Sequence, residues 1–331
     1  MAEIEPLRQQ AAQGDARAQF ALAEALRTGA EGLAINVPQA LGWYFKAASQ
    51  ELVAAQLRLG IMLLEDVAKA GGKRNPQQAY QWLAKAAATG NTEAQCRSGL
   101  MLIAGDGVEK DAPAGIALLE RAALENHAGA QFAIGYRLCK SEDVGQNLVR
   151  GMQYLLAATK LDHADAMFHL GMILERGIGC DAPMPEIAAR MYWRALLRLN
   201  HYPAANYLGI MYARGTGIER DPQMAKELFE FAIGAGEDEP MFSLGMLLMR
   251  EREVQDFAAA AMWATLAAER NPAGNGHKLL KALEEMAGPE VVAAGRARAA
   301  VWRRVPCGLT VVSRGPDVNE FAGLSLAEEP N

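Results

Sequence analysis

The chain has 331 residues and a formal net charge of −6, from 33 basic and 39 acidic side chains. Apolar residues make up 51% of it, enough for a sizeable buried core, yet no apolar run approaches the roughly 20 residues that span a bilayer. The acidic balance offers no electrostatic footprint for nucleic acid or an anionic membrane, so neither is expected as a partner.

The N-terminus reads MAEIEPLRQQAAQGDARAQF. A secretory signal needs a basic start and then an apolar stretch; here the start is acidic and already has helical spacing. Residues 4–13 read as the second helix of an incomplete leading repeat, and residues 1–15 as an N-terminal cap. One pattern then returns seven times. AQFALAEAL begins at Ala18, AQLRLGIML at Ala55, AQCRSGLML at Ala94 and AQFAIGYRL at Ala130. AMFHLGMIL follows at Ala166, AANYLGIMY at Ala204 and PMFSLGMLL at Pro240. The steps between them are 37, 39, 36, 36, 38 and 36 residues, and a near-constant period of this length marks stacked helical hairpins.

Each copy has the same plan. A first helix carries the A-x-x-x-L-G pattern. A turn follows, often G-x-G, as at Gly105/Gly107, Gly177/Gly179 and Gly215/Gly217, where glycine permits positive φ and ends the helix. A second helix starts on a capping Asn or Asp before proline, as at Asn75-Pro76 and Asp221-Pro222. It closes on an Ala-rich stretch such as WYFKAAS from Trp43 or WLAKAAA from Trp82. The middle of the first helix holds Ala23, Gly60, Gly99, Gly135, Gly171, Gly209 and Gly245 in one column. Glycine inside a helix costs about 1 kcal/mol relative to alanine, so six in register are expected to admit a close helix approach. No hairpin of this kind buries its own apolar face, and the stack is the folding unit. After the seventh copy, GHKLLKALEEM from Gly276 and PEVVAAGRARAAVWRRV from Pro289 read as a closing helical pair over 271–305. Arg296, Arg298, Arg303 and Arg304 supply its polar face. From about residue 306 the pattern stops, and a flexible tail is expected through residue 331.

These residues resemble the Sel1-like repeat family, a relative of the tetratricopeptide repeat. The matching signature is LG-x-[ML]-[YL], then G-x-G-[VI], D-P or N-P, and W-[YL]-x-K-A-A, over about residues 16 to 270. The resemblance implies an all-α, right-handed α-solenoid of about seven hairpins that acts as a scaffold or adaptor. Repeats 2, 4 and 7 depart from the turn pattern, with DVAKAGGKRN, SEDVGQN and REREVQDF. Some exported family members carry a disulfide in each repeat; that pairing is absent here. Cys96, Cys139, Cys180 and Cys307 are far apart in sequence and form no CxxC, so they read as free thiols in a reducing, cytoplasmic setting.

Catalytic chemistry finds little support. The G-x-G turns lie between two helices, whereas a dinucleotide fingerprint follows a strand. His163 and His169 stand six apart, not the four of helix-borne metal pairs, and neither metal nor cofactor is expected. Some proteins similar to this family are described as penicillin-binding, but no serine here has the lysine three residues on that S-x-x-K chemistry needs. The cysteines fall in different repeat columns, which suggests no Cys–His constellation. The expectation is a protein without enzymatic activity, with a hydrolase using a pocket in the superhelix as the alternative class.

In tetratricopeptide-like solenoids the first helices line the concave face, and by resemblance the positions 2, 6, 9 and 10 after the first residue of each copy would point there. In repeats 4 to 7 this stripe offers Phe132, Phe168 and Phe242, then Tyr136, Met172, Ile210 and Met246. Lys140, Arg176, Arg214 and Arg250 form a basic ladder at its edge. Apolar, Met-rich grooves suit helix or peptide capture. The expected partner is therefore another protein or peptide, acidic and amphipathic. The chain's own segment from Asp317 to Glu329 is a second candidate occupant. A dedicated immunity protein or chaperone for one secreted or toxic partner is the rival among binding functions.

Overall fold

The structure is a computed structural model that describes residues 4–65, 73–140, 148–178 and 182–305. The irregular turns of repeats 2 and 4, the residues Gly179, Cys180 and Cys307, and the expected tail all lie wholly or partly outside these residues. Within them the chain is an all-α solenoid with seventeen α-helices and no strand.

Two compact units divide at Ala158/Thr159. The first holds α1 (Ile4–Ala12), α2 (Ala16–Thr28), α3 (Val37–Ser49), α4 (Val53–Leu64), α5 (Pro76–Ala88), α6 (Thr92–Ala104), α7 (Ala112–Leu124) and α8 (Ala128–Lys140). The boundary falls near the end of α9 (Leu148–Lys160). The second holds α10 (Ala164–Arg176), α11 (Pro185–Leu199), α12 (Pro203–Arg214), α13 (Pro222–Ala235), α14 (Pro240–Arg250), α15 (Phe257–Arg270), α16 (Gly276–Ala287) and α17 (Pro289–Val301). Helices 2, 4, 6, 8, 10, 12 and 14 are the first helices of the seven copies.

The helix starts follow from their caps. The Asn75 side chain accepts from the Gln78 amide at 3.2 Å, and Asp221 accepts from Met224 at 2.9 Å. In both cases proline occupies the next position, where no intrahelical donor is needed. The G-x-G turn has two separate duties. Gly215 ends α12 at φ 69°, with its amide bonded to the Met211 carbonyl. Gly217 instead sits where a Cβ would lie 2.4 Å from the backbone carbon of Pro185, the first residue of α11. The turn thus docks one repeat on the second helix of the repeat before it.

The glycine column lies where the two helices of a hairpin touch. A Cβ on Gly99 would stand 2.7 Å from the Gly115 carbonyl oxygen, and one on Gly115 would stand 2.6 Å from that of Gly99. In the second unit, where Gly171 and Gly209 are faced by Tyr192 and Phe229, ring carbons would lie 2.8 and 2.5 Å from the added atom. Glycine therefore makes room for backbone at Gly99 and for buried aromatic rings at Gly171 and Gly209.

A further column ties successive repeats of the first unit. The buried Gln19, Gln56, Gln95 and Gln131 each donate from Nε2 to a carbonyl eight residues back, Ala11, Ala48, Ala87 and Ala123, at 3.1 to 3.4 Å. In the second unit the same column holds Met167, Ala205 and Met241, all fully buried. There this position of the seam is apolar. The closing helix α17 packs on α15, where a Cβ on Gly295 would stand 2.4 Å from Ala261 Cβ. The arginines on and just beyond it are more than a solvated face, since Arg298 pairs with Asp256 at 3.5 Å and Arg304, three residues past the helix, reaches back to Asp238.

Candidate functional site: a groove along α12 and α14

The first helices of repeats 6 and 7, α12 and α14, border two adjoining clefts in the second unit. The first, about 340 Å³, brings together Ile210, Arg214, Phe242, Met246 and Arg250, with Phe229 among its walls. These are five of the eleven residues expected to contact a partner. The second, about 350 Å³, shares Phe242 and Ser243 with the first and is lined further by Asn206, Asp238, Glu239, Arg270 and Asn271. Residues from the N-terminal ends of both helices border the second cleft, and those from their C-terminal ends border the first. The two helices are therefore parallel, and the clefts form one groove along them.

Local sequence explains the lining. Phe242 and Met246 are four residues apart and share a helix face, and both are half-buried. Arg214 and Arg250 are the last residues of their helices, where a cation suits the helix dipole. Both are exposed, and no ion pair engages either among the described residues. Glu251, at the same edge, is held by Arg220.

The other expected residues are placed differently. Phe168 is buried, with ring centroids 4.7 Å from His201, 5.0 Å from Tyr207 and 5.7 Å from Tyr192. Tyr192 donates to Glu175 at 2.9 Å, and burial pushes its hydroxyl well above the usual phenol range. Met172 is half-buried and Arg176 exposed at the end of α10. In the first unit, Phe132 lies 5.7 Å from Tyr136. Lys140 donates to the Tyr136 hydroxyl at 2.7 Å and sits 4.7 Å from its ring centre. Lys140 is thus engaged within its own helix, whereas the three arginines extend into solvent.

The Sel1 repeat profile matches residues 16–52, 53–91, 92–127, 128–163, 164–198, 203–237 and 241–272. The chain belongs to the Sel1 repeat family. Among solved structures, one similar to this chain is a protective antigen of uropathogenic Escherichia coli strains displaying an SLR fold. It has a TM-score of 0.72 and 24% identity, over 90% of this chain and 64% of that one. The chain thus spans under two-thirds of the antigen's length. Another is a Sel1 repeat protein from Oxalobacter formigenes, with a TM-score of 0.65 and 25% identity, over 75% of this chain and 98% of that one. No functionally curated protein matches the chain. Sel1 repeat proteins generally mediate protein–protein interaction.

One cluster corrects the expectation drawn from cysteine register. Cys96 and His127 meet between repeats 3 and 4 of this Sel1 array, and His127 Nε2 lies 2.8 Å from Glu93. Arg97 holds the other carboxylate oxygen and reaches Glu65 at 2.7 Å. Hydrogen bonding to His127, then to Arg97, brings the Glu93 carboxyl down to about 2. Cys96 and Glu93 raise His127 to about 9 against the opposing effect of partial burial, and the Ala130 amide, which donates to Nδ1 at 3.1 Å, also favours the neutral ring. The arrangement resembles a nucleophile with its base, but Cys96 is 5% exposed, and both ring nitrogens already have partners. Its visible work is to cap α8 and link two repeats. The same device recurs in weaker form between His201 and Asp165, at 3.3 Å. Among the described residues no group of His, Cys, Asp and Glu is set to hold a metal ion, and no helix is long and apolar enough to cross a membrane.

Proposed function

We propose that the protein is a non-catalytic scaffold or adaptor that captures a peptide or helix of another protein in the groove along α12 and α14. The supporting observation is the pairing of an apolar floor, Ile210, Phe242 and Met246, with two exposed arginines that have no ion-pair partner among the described residues. Apolar surface supplies the affinity and Met adapts to varied side chains. The arginines select an acidic flank and steer its approach. Arg176, one repeat earlier in the same column, extends the basic edge. A dedicated chaperone or immunity protein would use the same surface for a single tight cognate.

The test is a triple exchange, Arg176→Glu, Arg214→Glu and Arg250→Glu. Helicity should be unchanged, because all three side chains are exposed at helix ends. Partners captured by the wild-type chain should be lost, and wild-type binding should weaken with salt, since exposed charges are screened over about 8 Å at physiological ionic strength. Capture that ignores the exchange would remove the groove from the reading.

A further inference from the structure

The last described residues are delivered to one end of the groove. α17 ends at Val301, and two contacts fix the chain just beyond it. Trp302 packs edge-on against Trp263 of α15, with ring centroids 5.5 Å apart. Arg304 then bonds Asp238, which borders the polar cleft just before α14 begins. Val305 therefore follows directly on a residue anchored at the groove, at the end away from Arg214 and Arg250. From that end the chemistry along α14 runs in a set order: the carboxylates Asp238 and Glu239, then Phe242 and Met246, then Arg250. Beyond Val305 the sequence carries one segment with the complementary order. Residues 317–329, DVNEFAGLSLAEE, contain no Lys or Arg and place Leu324 and Leu326 before Glu328 and Glu329.

We propose that residues 317–329 occupy the groove of their own chain, running parallel to α14, and so compete with the partner for it. This rests on the groove reading above and names the occupant that a partner must displace. The spacing supports it. Phe242, Met246 and Arg250 follow at every fourth residue of α14 and share a face, each about 6 Å from the next. Side chains on one face of an extended chain are about 7 Å apart, and Leu324, Leu326 and Glu328 alternate on one such face. Leu324 then meets Phe242, Leu326 meets Met246, and Glu328 reaches Arg214 and Arg250. The opposite direction sets Glu328 and Glu329 against Asp238 and Glu239, and like charges oppose it. Reach is ample. The 19 residues from Val305 to Leu324 span up to about 60 Å when extended, whereas α14 is only about 16 Å long. A tethered segment meets its site at about millimolar effective concentration, so a modest intrinsic affinity suffices to fill the groove.

The experiment uses the full-length chain and a fluorescent synthetic peptide of residues 317–329. The comparison is with a variant carrying Leu324→Ser, Leu326→Ser and Glu328→Lys, whose own segment no longer fits. With an intrinsic Kd on the order of 0.1 mM against a millimolar effective concentration, the wild-type chain should bind the added peptide about tenfold more weakly than this variant. Adding Arg214→Glu and Arg250→Glu to the variant should abolish binding. Benzoylphenylalanine in place of Leu326 should crosslink under ultraviolet light to α12 or α14 within a single chain. Equal or absent binding of the peptide by wild type and variant, or a crosslink outside those two helices, overturns the proposal. Crosslinked dimers in place of monomers would assign the segment to a second copy and overturn occupancy within one chain. The groove reading survives any of these failures if native partners are still lost on the triple arginine exchange. If the partners ignore that exchange as well, both readings fall.

Discussion

The same substitution in the same column should have opposite consequences in two repeats. Alanine in place of glycine inside a helix gains about 1 kcal/mol of intrinsic propensity. At Gly99 the new methyl would stand 2.7 Å from the Gly115 carbonyl oxygen, and that oxygen belongs to a helix backbone pinned by the reciprocal contact at Gly115. One of the two helices must move, at an overpacking cost of about 1–3 kcal/mol, and because the clash is with backbone at the tight end of the range a net loss of up to about 2 kcal/mol is expected. At Gly245 the nearest atom is Leu279 Cδ2, 3.0 Å away, followed by the Ala260 carbonyl at 3.3 Å. The tip of a leucine can turn aside, so Gly245→Ala should be neutral or stabilising by up to about 1 kcal/mol. Stacked repeats open locally as well as globally, and hydrogen exchange resolved by segment is therefore the assay. Protection should fall in α6 and α7 for Gly99→Ala and hold or rise in α14 and α15 for Gly245→Ala. Equal losses in both, or higher protection around Gly99, would refute the claim that the column exists for close approach.

Gly171→Leu should cost more than either, on the order of 3 kcal/mol, since even a Cβ would stand 2.8 Å from the fully buried Tyr192 ring; a thermal melt like the wild type's would contradict this. Asp221→Ala removes the acceptor for the Met224 amide and should cost about 1 kcal/mol, read as early fraying of α13. The Glu93–His127 link predicts a stability window. Glu93, held near 2 against an ordinary 4.5, contributes fully above the ordinary value, and its share is lost as pH falls through 2. His127, raised to about 9 from 6.5, contributes fully below 6.5 and loses its share as pH rises through 9. Both groups are part-exposed, so the pair is worth only about 1 kcal/mol. A His127 imidazole titrating near 6.5 by NMR would show the Ala130 amide to outweigh the Glu93 carboxylate.

Much of the fold was legible because a repeat states each rule several times over. Proline after Asn75 or Asp221 marks a helix start in any context, and glycine at 215 marks an end. The hairpin contact was legible from the glycine column, but not what fills the space. Nothing near Gly171 or Gly209 in sequence announces Tyr192 or Phe229, because ring size is set across the hairpin. The glutamine column was visible as a recurring letter, yet its meaning depends on a carbonyl eight residues back coming within reach of Nε2. The Cys96–His127–Glu93 cluster escaped for a related reason. Register places residues within a repeat, whereas these three meet where the end of one repeat abuts the next.

The groove shows the same division between position and depth. Periodicity assigns Phe168, Asn206 and Phe242 to one stripe, and all three do occupy equivalent turns of α10, α12 and α14. Equivalent register does not give equivalent exposure. His201 and Tyr207 close over Phe168, so that ring serves the core. Among the described residues no ring closes over Phe242, which is half-buried and becomes the shared wall of two clefts. Asn206 carries the contrast furthest. As a letter it is a polar exception in an apolar column, which a sequence reader discounts as noise. Buried near the start of α12, it lines the polar cleft beside the ring that the same column supplies in repeat 7. In a repeat protein the regular positions explain why it folds. Where a column changes letter, as at Asn206, the lining of the groove changes with it.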